Sequence, residues 1–269
     1  MPHIRPAAVA GAFYPGSSDT LARDIHALLR DAKRPEMPAL PKAVIVPHAG
    51  YIYSGPIAAS AYVALAPLRD IVRRVVLLGP VHRVPVRGLA LPGATAFSTP
   101  MGTVQVDQEA IALLISLGQI VESAPAHAWE HSLEVQLPFL QTVLSEFKLV
   151  PLAVGDATAE EVAEVLDRLW GGPETLIVVS SDLSHYLPYD TARRVDQATV
   201  QSVLGLNTLH SHDQACGATP INGLVVAAKR HHLVPHLLDL RNSGDTAGDK
   251  DHVVGYAAFV FSEETKDVH

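Results

Sequence analysis

The chain has 269 residues, of which 48% are hydrophobic and 18% charged, and this apolar content is sufficient for the core of one large α/β domain. Its 20 lysine and arginine residues against 28 aspartate and glutamate residues give a net charge of −8, which excludes a general affinity for nucleic acid or anionic membranes. A single cysteine excludes an internal disulfide, whereas 14 histidines supply potential metal and proton chemistry. The first residues lack the apolar core of a signal peptide, and no apolar stretch is long enough to span a membrane, so we expect a cytoplasmic protein.

Strands and helices are predicted to alternate along the chain. A first helix over residues 19–30 precedes apolar runs at 43–46, 74–78 and 175–180, which have no alternating polar face and are typical of strands buried on both sides. Further helices are predicted over 56–65, 108–117, 132–144 and 159–169, the last with Thr158 and Glu161 in capping-box spacing, and another begins near Thr219. Two strands over 233–240 and 253–261 follow. This order predicts a single three-layer α/β domain over residues 1–269 with a largely parallel or mixed central sheet.

Three of the predicted strands run directly into a histidine. Strand 43–46 is followed by His48, strand 74–78 by His82, and strand 175–180 by Asp182 and His185. A single loop histidine is usually a surface residue, but ligands of open α/β sheets bind outside the carboxyl ends of the strands. Three imidazoles at one sheet edge therefore predict a shared site.

Two other segments are candidates for the same site. His131 and Glu134 lie three residues apart at a helix start and face the same side; they border the pocket or cap the helix. Cys216 precedes the helix near Thr219, where unsatisfied N–H groups favour a thiolate, although an ordinary buried cysteine fits as well. Tyr53 is expected to line the pocket with His131 and Glu134.

Motifs in a fixed order cover nearly the whole chain. They comprise residues 5–6, 10–15, 47–55, 79–82, 99–102, 130–139, 180–186, 215–217 and 253–256. Together they resemble the Memo family, the protein-B component of the AmmeMemoRadiSam gene grouping. The resemblance implies a fold similar to the class III extradiol ring-cleaving dioxygenases, which hold non-haem iron with two histidines and one acidic residue.

The resemblance also implies roles for individual residues. His48 and His82 match the two histidine ligands, and Cys216 stands where the dioxygenases have their carboxylate. His185 matches their acid/base histidine, and Asp182 belongs to the same motif and lines the site. Two histidines and a thiolate are softer than two histidines and a carboxylate and favour copper or zinc, while family members are described as binding iron or copper.

Three functions fit these residues. The first is a metal-dependent oxidoreductase, dioxygenase-like, in which His185 moves protons and Asp182 orients it or a bound water. The second is zinc-type hydrolysis at the same site. The third is a non-catalytic module whose vestigial pocket binds a peptide or small ligand, because eukaryotic relatives are linked to phosphotyrosine-peptide binding and signalling. The gene grouping implies a radical-SAM enzyme and an Ammecr-type protein as functional partners.

Overall fold

The structure is a computed structural model that describes residues 3–264. Its strands are β1 Ile4–Arg5, β2 Pro41–Val46, β3 Arg74–Pro80, β4 Leu89–Leu91, β5 Ala96–Thr99, β6 Gly102–Gln105, β7 Ile120–Glu122, β8 Lys148–Val154, β9 Thr175–Ser180, β10 His185–Leu187, β11 Leu233–Asn242 and β12 Val253–Glu263. Its α-helices are α1 Ser18–Asp31, α2 Tyr51–Tyr62, α3 Gln108–Ala112, α4 Ala124–Ala128, α5 Leu137–Val143, α6 Ala159–Leu169, α7 Tyr189–Leu204 and α8 Ala218–Arg230. Short 3₁₀ segments cover Val63–Leu68, Glu134–Gln136 and Ser243–Asp245.

A mixed sheet forms the middle layer of the molecule. Its centre is parallel, in the order β2-β9-β3-β8. Antiparallel pairs flank this centre: β12 pairs with β2, and β4 pairs with β8. Beyond them, β7 lies next to β4, while β10 and β11 both pair with β12. A separate small sheet has the order β1-β5-β6. The predicted α/β class with a parallel or mixed sheet is confirmed.

Alternate residues of the central strands enter two different cores. Val44 and Val46 of β2 pack in a cluster with residues of α1, α2 and α5. Ala43 and Ile45 pack in a second cluster with residues of α6, α7 and α8. Because helices cover both faces of the sheet, both sets of side chains are apolar, and the strand reads as a continuous apolar run.

The predicted helices differ from the observed ones mainly at their ends. Helix α6 has the predicted bounds, and its capping box is complete: the Thr158 hydroxyl accepts from the Glu161 N–H at 3.1 Å, and the Glu161 carboxylate accepts from the Thr158 N–H at 2.8 Å. The predicted helix 56–65 begins earlier, at Tyr51, and 108–117 is helical only to Ala112. The predicted helix 132–144 is a 3₁₀ segment followed by α5, because Pro138 has no N–H and is suited to the first turn of a helix.

Two elements that position the site lie outside the predicted ones. Strand β8 contains Pro151, and a proline is unusual in a central strand because it has no backbone N–H to donate to a neighbouring strand. Helix α7 carries many polar residues and packs mainly against β11 and β12. In the described part of the chain, no helix has both the length and the apolar character needed to cross a bilayer.

Candidate functional site

Three parallel strands bring polar side chains to the carboxyl edge of the sheet. His48 follows β2, His82 follows β3, and Asp182 and His185 follow β9. All four side chains line one cavity of about 570 Å³ that opens to solvent. His48 and His185 lie 137 residues apart in the sequence, and they share one cavity because parallel strands end at the same edge of the sheet.

His131 joins His48 and His82 in this cavity. One ring nitrogen of each lies within 4.8 Å of the other two, and among residues 3–264 this is the one group of three or more metal-binding side chains with that spacing. The ring centroids are 5.2 Å apart for His48 and His82, 5.4 Å for His48 and His131, and 4.7 Å for His82 and His131. Nitrogens bound to one metal ion at about 2.0–2.1 Å lie about 3.3 Å apart, so these nitrogens would have to approach one another by no more than about 1.5 Å. The three imidazoles therefore form a candidate metal site.

Burial keeps the inner imidazoles neutral at pH 7. His48 is 2% exposed, and burial, with the imidazoles nearby, lowers its pKa well below the ordinary value. Burial likewise lowers the pKa of His131 to about 4. The His82 side chain is the most open of the three, at 29% exposure. A neutral imidazole has a free lone pair, which is the form that binds a metal ion.

A hydroxyl fixes the tautomer of His48. The Ser180 hydroxyl donates its one proton to the carbonyl of Ser132 at 2.6 Å and accepts from the Gln136 amide at 2.8 Å. His48 Nδ1, 3.0 Å from the same oxygen, must therefore be the donor in that contact. The lone pair of His48 is consequently on Nε2.

The Glu130 carboxylate organises the other two imidazoles. One oxygen accepts from the ring Nδ1 of His82 at 2.8 Å and from the backbone N–H groups of His131 and Ser132 at 2.9 and 3.0 Å. The other oxygen accepts from the backbone N–H of His82 at 2.6 Å. Burial alone would raise the pKa of Glu130, but these donors outweigh it and lower the pKa to about 2. Because the carboxylate is ionised, it accepts from His82 Nδ1–H and leaves Nε2 free. Carboxylates commonly orient metal-binding histidines in this way.

Asp182, His185 and Tyr53 all line the cavity. Asp182 accepts from the backbone N–H of His48 at 2.7 Å, and burial raises the pKa of this carboxyl to about 7. Asp182 therefore positions the segment that carries His48. Burial lowers the pKa of His185, so its imidazole is neutral and available to accept a proton.

Cys216 lies beside His48, at the start of α8. Its Sγ is 3.3 Å from His48 Nε2 and 3.7 Å from the Asp182 carbonyl oxygen. The expectation that the helix start favours a thiolate is wrong for the protein alone, because burial raises the pKa of Cys216 to about 12. The protonated thiol can donate to His48 Nε2. Cys216 thus contacts one of the three imidazoles, but it is not among the described residues that line the cavity or that have metal-binding atoms within 4.8 Å of one another.

Glu134 holds the N-terminal segment of the chain. It is fully buried, forms an ion pair with Arg5, and accepts from the N–H groups of Ala8 and Val9 at 2.7 and 3.0 Å and from the Tyr14 hydroxyl at 2.5 Å. From the sequence, Glu134 is expected to border the pocket or to cap a helix. In the structure, its carboxylate binds the N-terminal segment, a contact that neither expectation includes. The anchored segment in turn places the Phe13 ring 4.7 Å from the His131 ring.

The rest of the cavity lining comes from residues that the sequence analysis did not single out as site residues. It includes Phe13, Tyr186, Asp249, His252 and Tyr256. These residues lie in loops and in strands β10 and β12, far apart in the chain. Tyr186 and Tyr256 come together through the pairing of β10 with β12, which no local pattern indicates.

This fold, with imidazoles converging at the carboxyl edge of a mixed sheet, defines an α/β protein with a candidate metal site in an open cavity. The family model described as Memo-like protein matches residues 5–260, and the chain belongs to that family. MEMO1 family proteins similar to it include one from Aquifex aeolicus, 36% identical over 96% of this chain and 99% of its own, and one from Ignicoccus hospitalis, 37% identical over 96% and 98%. Another, from Sulfurisphaera tokodaii, is 33% identical over 97% of this chain and 100% of its own. A solved structure of an uncharacterised Escherichia coli K12 protein overlaps 80% of this chain and 98% of its own, with a TM-score of 0.49 and 13% identity.

Proposed function

We propose that this protein is a metal-dependent oxidoreductase whose reaction takes place in the cavity of the three imidazoles. The observation that carries the proposal is the convergence of His48, His82 and His131, with ring nitrogens within 4.8 Å of one another. The hydrogen bonds of Ser180 and Glu130 leave Nε2 of His48 and His82 as the free nitrogens, so the donors fit a metal ion. A bound iron or copper ion would supply redox chemistry and coordination positions open to substrate.

Cys216 is proposed as a further donor to the same ion. For bond lengths of about 2.3 Å to sulfur and 2.0–2.1 Å to nitrogen, two donors on one ion lie about 3.2–3.6 Å apart. Cys216 Sγ and His48 Nε2, 3.3 Å apart, already have that separation. The raised pKa of the thiol implies that this donor is recruited only when an ion displaces its proton.

His185 is proposed to accept and return protons at the substrate. It lines the cavity outside the group of three, and its lowered pKa keeps the ring neutral at pH 7. Asp182 acts through its hydrogen bond to the backbone of His48, so it maintains the geometry of the donors. Tyr53 contributes to the wall that surrounds the substrate.

Anaerobic titration with ferrous, cuprous and zinc ions tests this proposal. We expect one ion per chain, and weaker binding of all three ions in His131→Asn. Cys216→Ser should weaken copper and zinc selectively, and Cys216→Asp should shift the preference toward iron, because a hard carboxylate replaces a soft thiolate. His26→Asn on α1, with an exposed side chain outside the cavity, is the matched control and should bind like the wild type.

Other outcomes of the titration favour other functions. Tight binding of zinc, with neither iron nor copper retained, would replace the redox proposal by hydrolysis with a zinc-activated water. No binding of any ion would overturn the metal-dependent proposal and favour a non-catalytic module for a peptide or small ligand. Equal affinities in the wild type and the Cys216 variants would remove Cys216 from the donor set.

A further inference from the structure

Aromatic side chains form part of the cavity wall. Phe13, Tyr53, Tyr186 and Tyr256 all line it. Tyr186 is 71% exposed and has a φ of +57°, a left-handed conformation that is uncommon for a bulky residue. Such strain at a cavity mouth is typical of a side chain held for ligand contact. The faces of aromatic rings carry partial negative charge and attract cations.

Lysine and arginine are missing from the described lining of the cavity. Asp249 supplies a carboxylate there, and Asp182 supplies a second one whose pKa burial raises to about 7. The neighbouring Lys250 directs its ammonium group over the Tyr189 ring, 4.5 Å from the centroid. Arg83, which follows His82, is exposed and lies outside the lining, although its charge contributes to the lowered pKa of His131. An anionic ligand therefore meets no lysine or arginine in the described wall of this cavity.

Asp249 has an oxygen available for a ligand. Its Oδ1 accepts from the N–H groups of Asp251 and His252, at 3.0 and 3.3 Å, and these contacts hold the loop. Within residues 3–264, Oδ2 has no hydrogen-bond partner among protein atoms. Asp249 is exposed and lines the same cavity as the aromatic side chains, so this oxygen is open to an ammonium group that enters the cavity.

We infer that the cavity binds a small molecule with a protonated amine. The ammonium group lies against the exposed side chains of Asp249 and Tyr186, and the opposite end reaches the three imidazoles. This inference rests on the proposed function in that the reacting end of the ligand faces the metal site. It goes further by assigning the charge of the ligand.

Three probes of equal ring type and different charge test the inference. Phenethylamine, 2-phenylethanol and 3-phenylpropionate are cationic, neutral and anionic at pH 7, and their binding is measured by calorimetry and by ligand-observed NMR. We expect the amine to bind at least tenfold more tightly than the alcohol, and the carboxylate to bind most weakly. Equal or tighter binding of the carboxylate would overturn the inference.

Matched variants locate the interaction. Asp249→Asn keeps an Oδ1 that accepts the two loop N–H groups but loses the charge, so amine affinity should fall about tenfold while alcohol affinity is unchanged. Tyr186→Leu keeps an apolar side chain and should also weaken the amine selectively. Glu109→Gln, an exposed charge change on α3 outside the cavity lining, should change neither. Unchanged amine binding in Asp249→Asn would overturn the inference.

The measurement is made on protein with and without metal, with the metal content of each sample determined. Asp249 and the aromatic rings belong to the chain itself, so the preference for the amine should persist without metal. Protein that binds no metal but prefers the amine would refute the proposed function and leave this inference standing. Protein that binds metal but shows no preference for the amine would refute this inference and leave the proposed function standing.

Discussion

Replacing Glu134 by Gln should destabilise the fold far more than the loss of a surface charge. The carboxylate accepts four hydrogen bonds, from Arg5 and the Ala8 N–H on one oxygen and from the Val9 N–H and the Tyr14 hydroxyl on the other. A glutamine amide accepts only through its one oxygen and donates through its nitrogen, so two of the four donors lose their acceptor. The Arg5 guanidinium, 4% exposed, would also lack a counter-charge. Breaking a buried ion pair in this way costs about 3–5 kcal/mol.

Denaturant unfolding at pH 7 measures this loss directly. Asp31→Asn is the control, because the pair of Arg30 and Asp31 is about 70% exposed on both sides and should change stability by less than about 1 kcal/mol. Tyr14→Phe removes a single hydrogen bond to the same carboxylate and should cost about 1.5–3 kcal/mol, which keeps the reasoning testable if Glu134→Gln fails to fold. A Glu134→Gln loss no larger than that of Asp31→Asn would refute the assignment of Glu134 as the anchor of the N-terminal segment.

Three further predictions concern the site and its supports. Glu130→Gln should weaken metal binding about 10–100-fold in titrations, because the acceptor that orients His82 loses its charge; unchanged affinity would argue against this role. Burial raises the pKa of Asp196 to about 6, so the folded state retains a proton that the unfolded chain releases near pH 4, and stability should fall by about 3 kcal/mol between pH 4 and pH 6. Urea unfolding between pH 4 and pH 6 should show that this fall in the free energy of unfolding is lost in Asp196→Asn. The same pH dependence in both proteins would contradict the prediction. Gly255→Ala should cost about 1–3 kcal/mol in thermal or denaturant unfolding, because a Cβ there would lie 2.1 Å from Asp196 Oδ2; wild-type stability would show that the carboxylate moves freely.

The strands that end in histidine could be predicted from sequence because their signal is local. β2, β3 and β9 are continuous apolar runs, and the residue that follows a parallel strand is confined to one edge of the sheet. Long-range partners could not be predicted in the same way. Glu130 binds His82, which lies 48 residues away in the sequence, and Glu134 binds Arg5, which lies 129 residues away.

The position of His131 depends on this network. A helical pattern over 132–144 predicts only that His131 and Glu134 face the same side. In the structure, Glu130 accepts from the His131 N–H and turns the chain before the 3₁₀ segment, so His131 enters the cavity while Glu134 faces the N-terminal segment. The two side chains separate because each has a different partner, and helical spacing carries no information on either.

The 168-residue separation of His48 and Cys216 also sets a sequence of events during synthesis. Ribosomes add about 5–20 residues per second, so the nascent chain carries His48 for roughly 10–30 s before Cys216 exists. Asp182 and Ser180, which hold His48 in place, are also made late in that interval. The imidazole therefore emerges from the ribosome without its native neighbours, and the contacts that surround it form only after residues 180–216 have been translated.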